Sequence, residues 1–160
     1  MGLSRMSLLL IAVGLWSAPS SAQVGPRCLH GETETQVQQQ RRADAVDGAD
    51  LINRILDRNP RATAYPTWAG LAKSPMVAMY RSMPGPRGDL ARKMQWGADR
   101  PLPGWQIHYV AAEDAYALSL TDTRDPCQLT VATNDTGLVI EGRPANLRGQ
   151  PRVVPLDSSQ

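Results

Sequence analysis

The first long element that the sequence predicts is an amphipathic helix over residues 32–58. Apolar side chains recur there at spacings of three and four, which is the period of one helical face. The members of this stripe are Val46, Ala49, Ile52, Ile55 and Leu56. Residues 36–42 are almost wholly polar, so we expect only the second half of the helix to pack. Thr33 or Thr35, each followed three residues later by glutamine, can cap the start, and Asn59-Pro60 ends the helix.

From Trp105 the apolar period changes to two, which predicts strands with one apolar face. The residues that alternate onto this face are Trp105, Ile107, Tyr109, Tyr116, Leu118 and Leu120. Turn signals follow at residues 113–114, 123–126 and 134–137, before the short apolar run 138–140. These signals predict a four-stranded antiparallel meander, and the helical stripe is the long apolar surface that can cover it.

Residues 60–104 are rich in proline and glycine and predict short helices at most. One covers Thr67 to Ala72 after a proline, one begins after Ser74 with proline at its first position, and a third runs from Asp89 to Trp96. The aromatic and methionine side chains here can line a groove or close the open side of a thin sheet, and we favour the second role. They are Tyr65, Trp68, Met76, Met79, Tyr80, Met83, Met94 and Trp96.

Together these elements predict an α+β fold, in which one long N-terminal helix packs on a four-stranded antiparallel β-meander. A Pro/Gly-rich middle of short helices joins the two. Residues 23–142 have the length of a single domain. After Gly142 the apolar pattern stops, and residues 143–160 predict an extended or disordered tail.

Residues 1–22 have the three parts of an export signal. Arg5 gives a positively charged start, residues 8–16 are an apolar run too short to span a bilayer, and Ser20 and Ala22 fit a signal-peptidase site. We expect the mature chain to begin at Gln23 and to be periplasmic or secreted. No transmembrane segment is expected after cleavage, and the signal and composition are typical of a bacterial protein.

The two cysteines, Cys28 and Cys127, predict one disulfide, because an even count in an exported chain indicates oxidised pairs. It would close a loop of about 100 residues, worth up to about 4.7 kcal/mol in the chain-entropy model. A metal site is the rival interpretation, but the sequence contains no CxxC or HExxH motif.

The charge balance does not favour a polyanionic partner. The chain has 17 basic and 15 acidic residues, a net charge of +2. Its basic residues are scattered along residues 54–100 and form no compact cluster. We therefore expect no nucleic-acid binding and, as a partner, another protein.

The C-terminal half resembles the soluble head of type IV pilins and of the pseudopilins of type II secretion. The resemblance rests on the strand and turn order from Gly104 to Leu120, on Asp125-Pro126-Cys127 and on Thr136-Gly137-Leu138-Val139-Ile140. It covers residues 32–142, the head alone, since the chain lacks the long apolar helix with which a pilin begins. It implies a helix packed on a small meander and a binding or scaffolding role without an assigned activity.

The same resemblance implies a calcium candidate, because such heads sometimes hold calcium in a loop of the sheet. The oxygen donors for it are Asp122, Asp125, Asn134 and Asp135, in two turns of the meander. The alternative is turn duty, in which these side chains bond the local backbone. We favour turn duty and expect no other cofactor, because the spacing matches no regular calcium-loop motif.

Candidate catalytic chemistry is sparse. His108 lies in a predicted strand with Glu113 and Asp114 just beyond it, and a histidine beside a carboxylate can act in acid–base catalysis. His108 is however expected on the polar face, and no nucleophile motif accompanies it. His30, two residues after Cys28, is assigned to the N-terminus held by the disulfide.

The sequence therefore favours an exported, non-catalytic binding or scaffolding protein of the cell envelope, with no catalytic residues. The alternative is a small secreted enzyme or enzyme inhibitor that uses the Pro-rich middle as its contact surface. A pocket uniting His108 with acidic residues would favour that alternative.

Overall fold

The computed structural model describes residues 28–58, 64–147 and 150–155, with side chains as far as Arg143. The predicted signal, residues 1–22, and the predicted Asn59-Pro60 helix stop lie outside the described residues. The α+β class is confirmed.

Helix α1, Gln36–Arg58, begins four residues later than the predicted position 32. A reciprocal cap at Thr35 explains the difference. The amide of Gln38 donates to Thr35 Oγ1 at 3.3 Å, and the amide of Thr35 donates to Gln38 Oε1 at 2.7 Å. These bonds satisfy donors that a helix start leaves without partners.

Three short helices occupy the middle of the chain, as predicted: α2 (Trp68–Leu71), α3 (Pro75–Ser82) and α4 (Pro86–Lys93). Thr67 and Ser74 cap the first two through their hydroxyl groups. Helix α4 begins at Pro86 and not at Asp89, because Gly85 takes a φ of 88° and Pro86 supplies a first helical residue that needs no amide.

The sheet is an antiparallel meander in the order β1-β2-β3-β4-β5. Its strands are β1 (Trp105–Ala111), β2 (Tyr116–Asp122), β3 (Thr130–Asn134), β4 (Ile140–Leu147) and β5 (Gln150–Pro155). The predicted meander is confirmed, with a fifth strand that the sequence pattern did not indicate.

Strands β4 and β5 occupy much of the stretch predicted as a tail, residues 143–160. Strand β3 pairs with β4 only at residues 140–142, and beyond Gly142 β4 pairs with β5. A proline is tolerated where one strand edge is unpaired, which accommodates Pro144. This hairpin is held by backbone pairing, for which the apolar period gives no signal.

Helix α1 packs against the sheet, as predicted, but its main contacts are with β2 and β3 and not with β1, whose side chains Trp105, Ile107 and Tyr109 were expected beneath it. Ala49, Ile52, Ile55 and Leu56 are fully buried, and Val46 is partly buried against them. Helices α3 and α4 pack on another side of α1, which buries Leu51 as well.

The short middle segments shield part of the sheet that α1 leaves uncovered. Tyr65 packs edge-on against Tyr116 with ring centres 4.9 Å apart, and Trp68 lies 6.2 Å from Tyr109. Tyr109 also donates its hydroxyl to the Pro66 carbonyl. Large aromatic side chains cover the sheet here although no long helix does, which confirms the core role assigned to Tyr65 and Trp68. The same assignment is wrong for Met79 and Met83, which are exposed.

A membrane-spanning element is not found among the described residues: none of their helices combines the necessary length with the necessary hydrophobicity.

Candidate functional site

The most concentrated polar chemistry surrounds His30, which is 1% exposed. Its Nδ1 lies 2.7 Å from Glu34 Oε1, and its Nε2 lies 2.9 Å from Asp122 Oδ2. Glu34 lies four residues along the chain, just before α1, whereas Asp122 is the last residue of β2. The ring therefore bridges the N-terminal segment to the sheet.

Asp122 is the centre of this arrangement. Its side chain is fully buried, and Arg41 of α1 donates through Nη2 to both carboxylate oxygens at 2.7 and 2.8 Å. The backbone amide of Arg124 donates to Oδ1 at 2.9 Å. Burial by itself raises the pKa of Asp122, but the hydrogen bonds from His30, the Arg124 amide and Arg41 together hold that pKa below its usual value.

Further charges extend the arrangement to β4. Arg42 lies 3.7 Å from Glu34 and 3.8 Å from Glu141, and Arg143 donates to the His30 carbonyl at 2.7 Å. We call the whole group the His30 cluster. It consists of His30, Glu34, Arg41, Arg42, Asp122, Glu141 and Arg143.

The His30 cluster has the ingredients of acid–base chemistry but not the access. Both ring nitrogens of His30 are already bonded to carboxylates, and the side chain has no exposed surface. A general base must reach the proton that it abstracts, directly or through one water. The cluster thus fastens the N-terminal segment, α1 and the sheet together.

A second fastening lies beside it. Cys28 and Cys127 form a disulfide, as predicted, with their Cα atoms 5.2 Å apart. Asp125, 2% exposed, accepts the amides of Leu29 at 2.8 Å and of Cys127 and Leu129 at 3.1 Å. Asp125 lies close to both sulfur atoms, but sulfurs joined to each other are not the thiolates that a metal site requires.

The four calcium candidates do not form one ligand set. Asp122 and Asp125 lie where β2 turns into β3, whereas Asn134 and Asp135 lie at the other end of β3. Successive turns of a meander lie at opposite ends of its strands, so these two turns cannot share an ion. Asn134 accepts the Thr136 amide and hydroxyl in its own turn, which is the turn duty favoured above.

His108 is exposed on the outer face of β1, directly opposite Ser119 of β2. It lines an open cleft of about 610 Å³, here called the outer-face cleft, together with Gln106, Thr121, Arg124, Asp125 and Gln128. Glu113 and Asp114 are exposed at the β1–β2 turn and do not line it. The cleft therefore unites His108 with one acidic residue, Asp125, whose carboxylate is already occupied by three amides.

Sequence reasoning missed the importance of His30 and Asp122 as a pair. A buried asparagine was missed too: Asn53 of α1 donates to Thr133 at 2.8 Å and accepts the Tyr116 hydroxyl at 2.8 Å. One available signal was the position of Asn53 inside the apolar stripe, because a polar residue there needs a partner on the sheet.

Comparison with protein-family models, with curated proteins and with solved structures finds no match. The functional argument below therefore rests on the geometry of the described residues, and the pilin-head resemblance stays a prediction.

Proposed function

We propose that this chain is an exported, non-catalytic binding or scaffolding protein of the cell envelope, built like a pseudopilin head. We further propose that its contact surface is the outer face of the sheet. The observation that carries this proposal is that the described helices all lie on the inner side of the sheet. The acid–base groups best placed for chemistry, those of the His30 cluster, are bound to one another and not to the outer face.

The composition of the outer face supports a contact role. Cross-strand neighbours on this face include His108, Ser119, Ala132 and Ile140, which form one continuous row across four strands. Val110 is 55% exposed and Ile140 is 38% exposed. Small, polar and apolar side chains are thus mixed on a sheet surface against which no described helix packs, and such a surface suits a protein partner.

Export is supported by the disulfide, because disulfides persist in oxidising compartments. The predicted signal gives the route to such a compartment. Periplasmic or secreted location belongs to the proposal on these two grounds.

One feature of the outer-face cleft supports the enzyme alternative, and a second feature opposes it. His108 does share a cleft with an acidic residue, which was the feature that would favour it. The acidic residue is Asp125, however, and its two oxygens hold the turn that follows β2. A carboxylate used in this way does not orient His108, so we propose no second function.

The proposal predicts that a charge placed on the outer face strongly reduces partner capture. Gln106 is exposed and lines the outer-face cleft. Immobilised Gln106→Arg should capture less than about a tenth of the envelope protein that the wild type captures, since burying an unpaired charge in an interface is costly. Quantitative mass spectrometry of the captured proteins measures the ratio.

The matched control is Gln36→Arg, the same chemical change at the exposed first residue of α1. It should capture the partner as well as the wild type does. Equal capture by both variants would contradict the assignment of the outer face. Loss of capture in both would show that added charge acts without regard to position.

A further inference from the structure

A small cavity lies between α1, α4 and the start of β1, and Arg124 lines both this cavity and the outer-face cleft. Its volume is about 60 Å³. A water molecule occupies about 30 Å³ in the liquid, so the cavity has room for a group of a few heavy atoms. The charged and aromatic residues that line it are Arg41, Asp44, Lys93, Trp105 and Arg124.

Two buried donors belong to residues that line this cavity. Trp105 is 1% exposed, and its Nε1 has no hydrogen-bond acceptor among the described residues. Arg41 Nε is also buried and has no acceptor among the residues that the structure describes, although Nη2 of the same side chain bonds Asp122. Native proteins satisfy most buried donors, so two unsatisfied ones at one cavity indicate an acceptor that binds there.

The backbone at Gly104 brings two guanidinium groups to the same place. A Cβ on this residue would lie 2.7 Å from Arg124 Nε and 2.9 Å from Arg41 Nη2. Gly104 also has a φ of 83°, which favours glycine. The absence of a side chain thus leaves space that both arginines approach.

The charges around the cavity are unbalanced in favour of an anion. Asp44 forms an ion pair with Lys93, and Asp122 forms one with Arg41. Arg124 has no acidic partner within the described ranges. One positive charge therefore remains, carried by a side chain whose planar fork matches the oxygens of a carboxylate or phosphate.

We propose that this cavity binds a small oxyanion group, a carboxylate or a phosphate, through Arg124, Arg41 Nε and Trp105 Nε1. The site goes beyond the proposed function, because its two buried donors belong to Trp105 and Arg41, which do not line the outer-face cleft, although Arg124 lines both. The ligand group would replace the missing acceptor for both buried donors at once.

The indole N–H signals of the disulfide-bonded protein provide the test. Trp68 Nε1 bonds the Ala98 carbonyl and Trp96 Nε1 bonds the Ala91 carbonyl, so these two signals are internal references. Titration with sodium phosphate, and separately with sodium acetate, is followed by 1H–15N NMR at constant ionic strength set with sodium chloride. The Trp105 signal, assigned with Trp105→Phe, should shift saturably with at least one of the two anions while the reference signals stay in place.

Two variants distinguish the site from a general salt effect. Arg124→Gln should weaken the fitted affinity about tenfold or more, because a hydrogen bond to a charged group is lost. Arg87→Gln removes the same charge from α4 outside the cavity and should leave the affinity unchanged. Arg124 is exposed, so the variant spectrum should otherwise keep the wild-type dispersion.

The relative response to phosphate and to acetate identifies the group that fits. The proposal is overturned if the Trp105 signal does not saturate with either anion. It is also overturned if additional chloride alone gives the same shift, or if Arg87→Gln weakens the response as much as Arg124→Gln does.

Discussion

Replacing Asp122 with alanine should lower the free energy of unfolding by about 3–5 kcal/mol, the usual cost of removing one partner from a buried ion pair. The carboxylate accepts bonds from His30, Arg41 and the Arg124 amide. Its loss leaves the His30 ring buried with one nitrogen unpaired, and it leaves Arg41 without its acid. Urea denaturation of the wild type and the variant measures the difference.

The same comparison has a predicted pH dependence. The pKa of Asp122 is lower in the folded protein than in the unfolded chain, so its stabilisation is complete above the unfolded pKa and is lost as pH falls through the folded pKa. The difference between wild type and variant should therefore shrink on acidification. Asp47→Ala, at an exposed position of α1, should change stability by no more than about 0.5 kcal/mol. Equal effects at the two positions would contradict the role of Asp122.

Replacing Ile52 with alanine should destabilise the protein by about 2–5 kcal/mol, the range for a buried large-to-small change. Ile52 is a fully buried residue of α1, the helix that packs against the sheet. Val37→Ala on the same helix should cost little, because Val37 is 70% exposed. Thermal and urea unfolding of both variants check this pair, and small effects of similar size at both positions would contradict the packing of α1.

The features that could be predicted from the sequence are those with local signals. The apolar stripe around Ile52 predicts the helix and its packed half. The sequence leaves two caps open, at Thr33 and at Thr35, and the structure has the second. The alternation that begins at Trp105 predicts β1 and β2. In each case the signal and the structure lie within a few residues of one another.

The features that could not be predicted depend on distant pairing. The His30–Asp122 contact joins residues 92 positions apart, and neither residue carries a local sign of its partner. The β4–β5 hairpin pairs through its backbone, so the polar and proline-rich sequence there gives no apolar period to read. The sequence alone could have shown that the four calcium candidates lie in two separate groups, because a meander places successive turns at opposite ends of its strands.

The central claim is that residues 28–34 are part of the domain, fastened by the His30 cluster, by Asp125 and by the disulfide. Amide hydrogen exchange tests it directly, because Leu29 and Leu129 donate to the two oxygens of the same Asp125 carboxylate. We expect the Leu29 amide to be protected from exchange about as strongly as the amide of Leu129, which lies in the turn just before β3. Exchange of Leu29 at the rate of a free peptide, with Leu129 still protected, would contradict the claim.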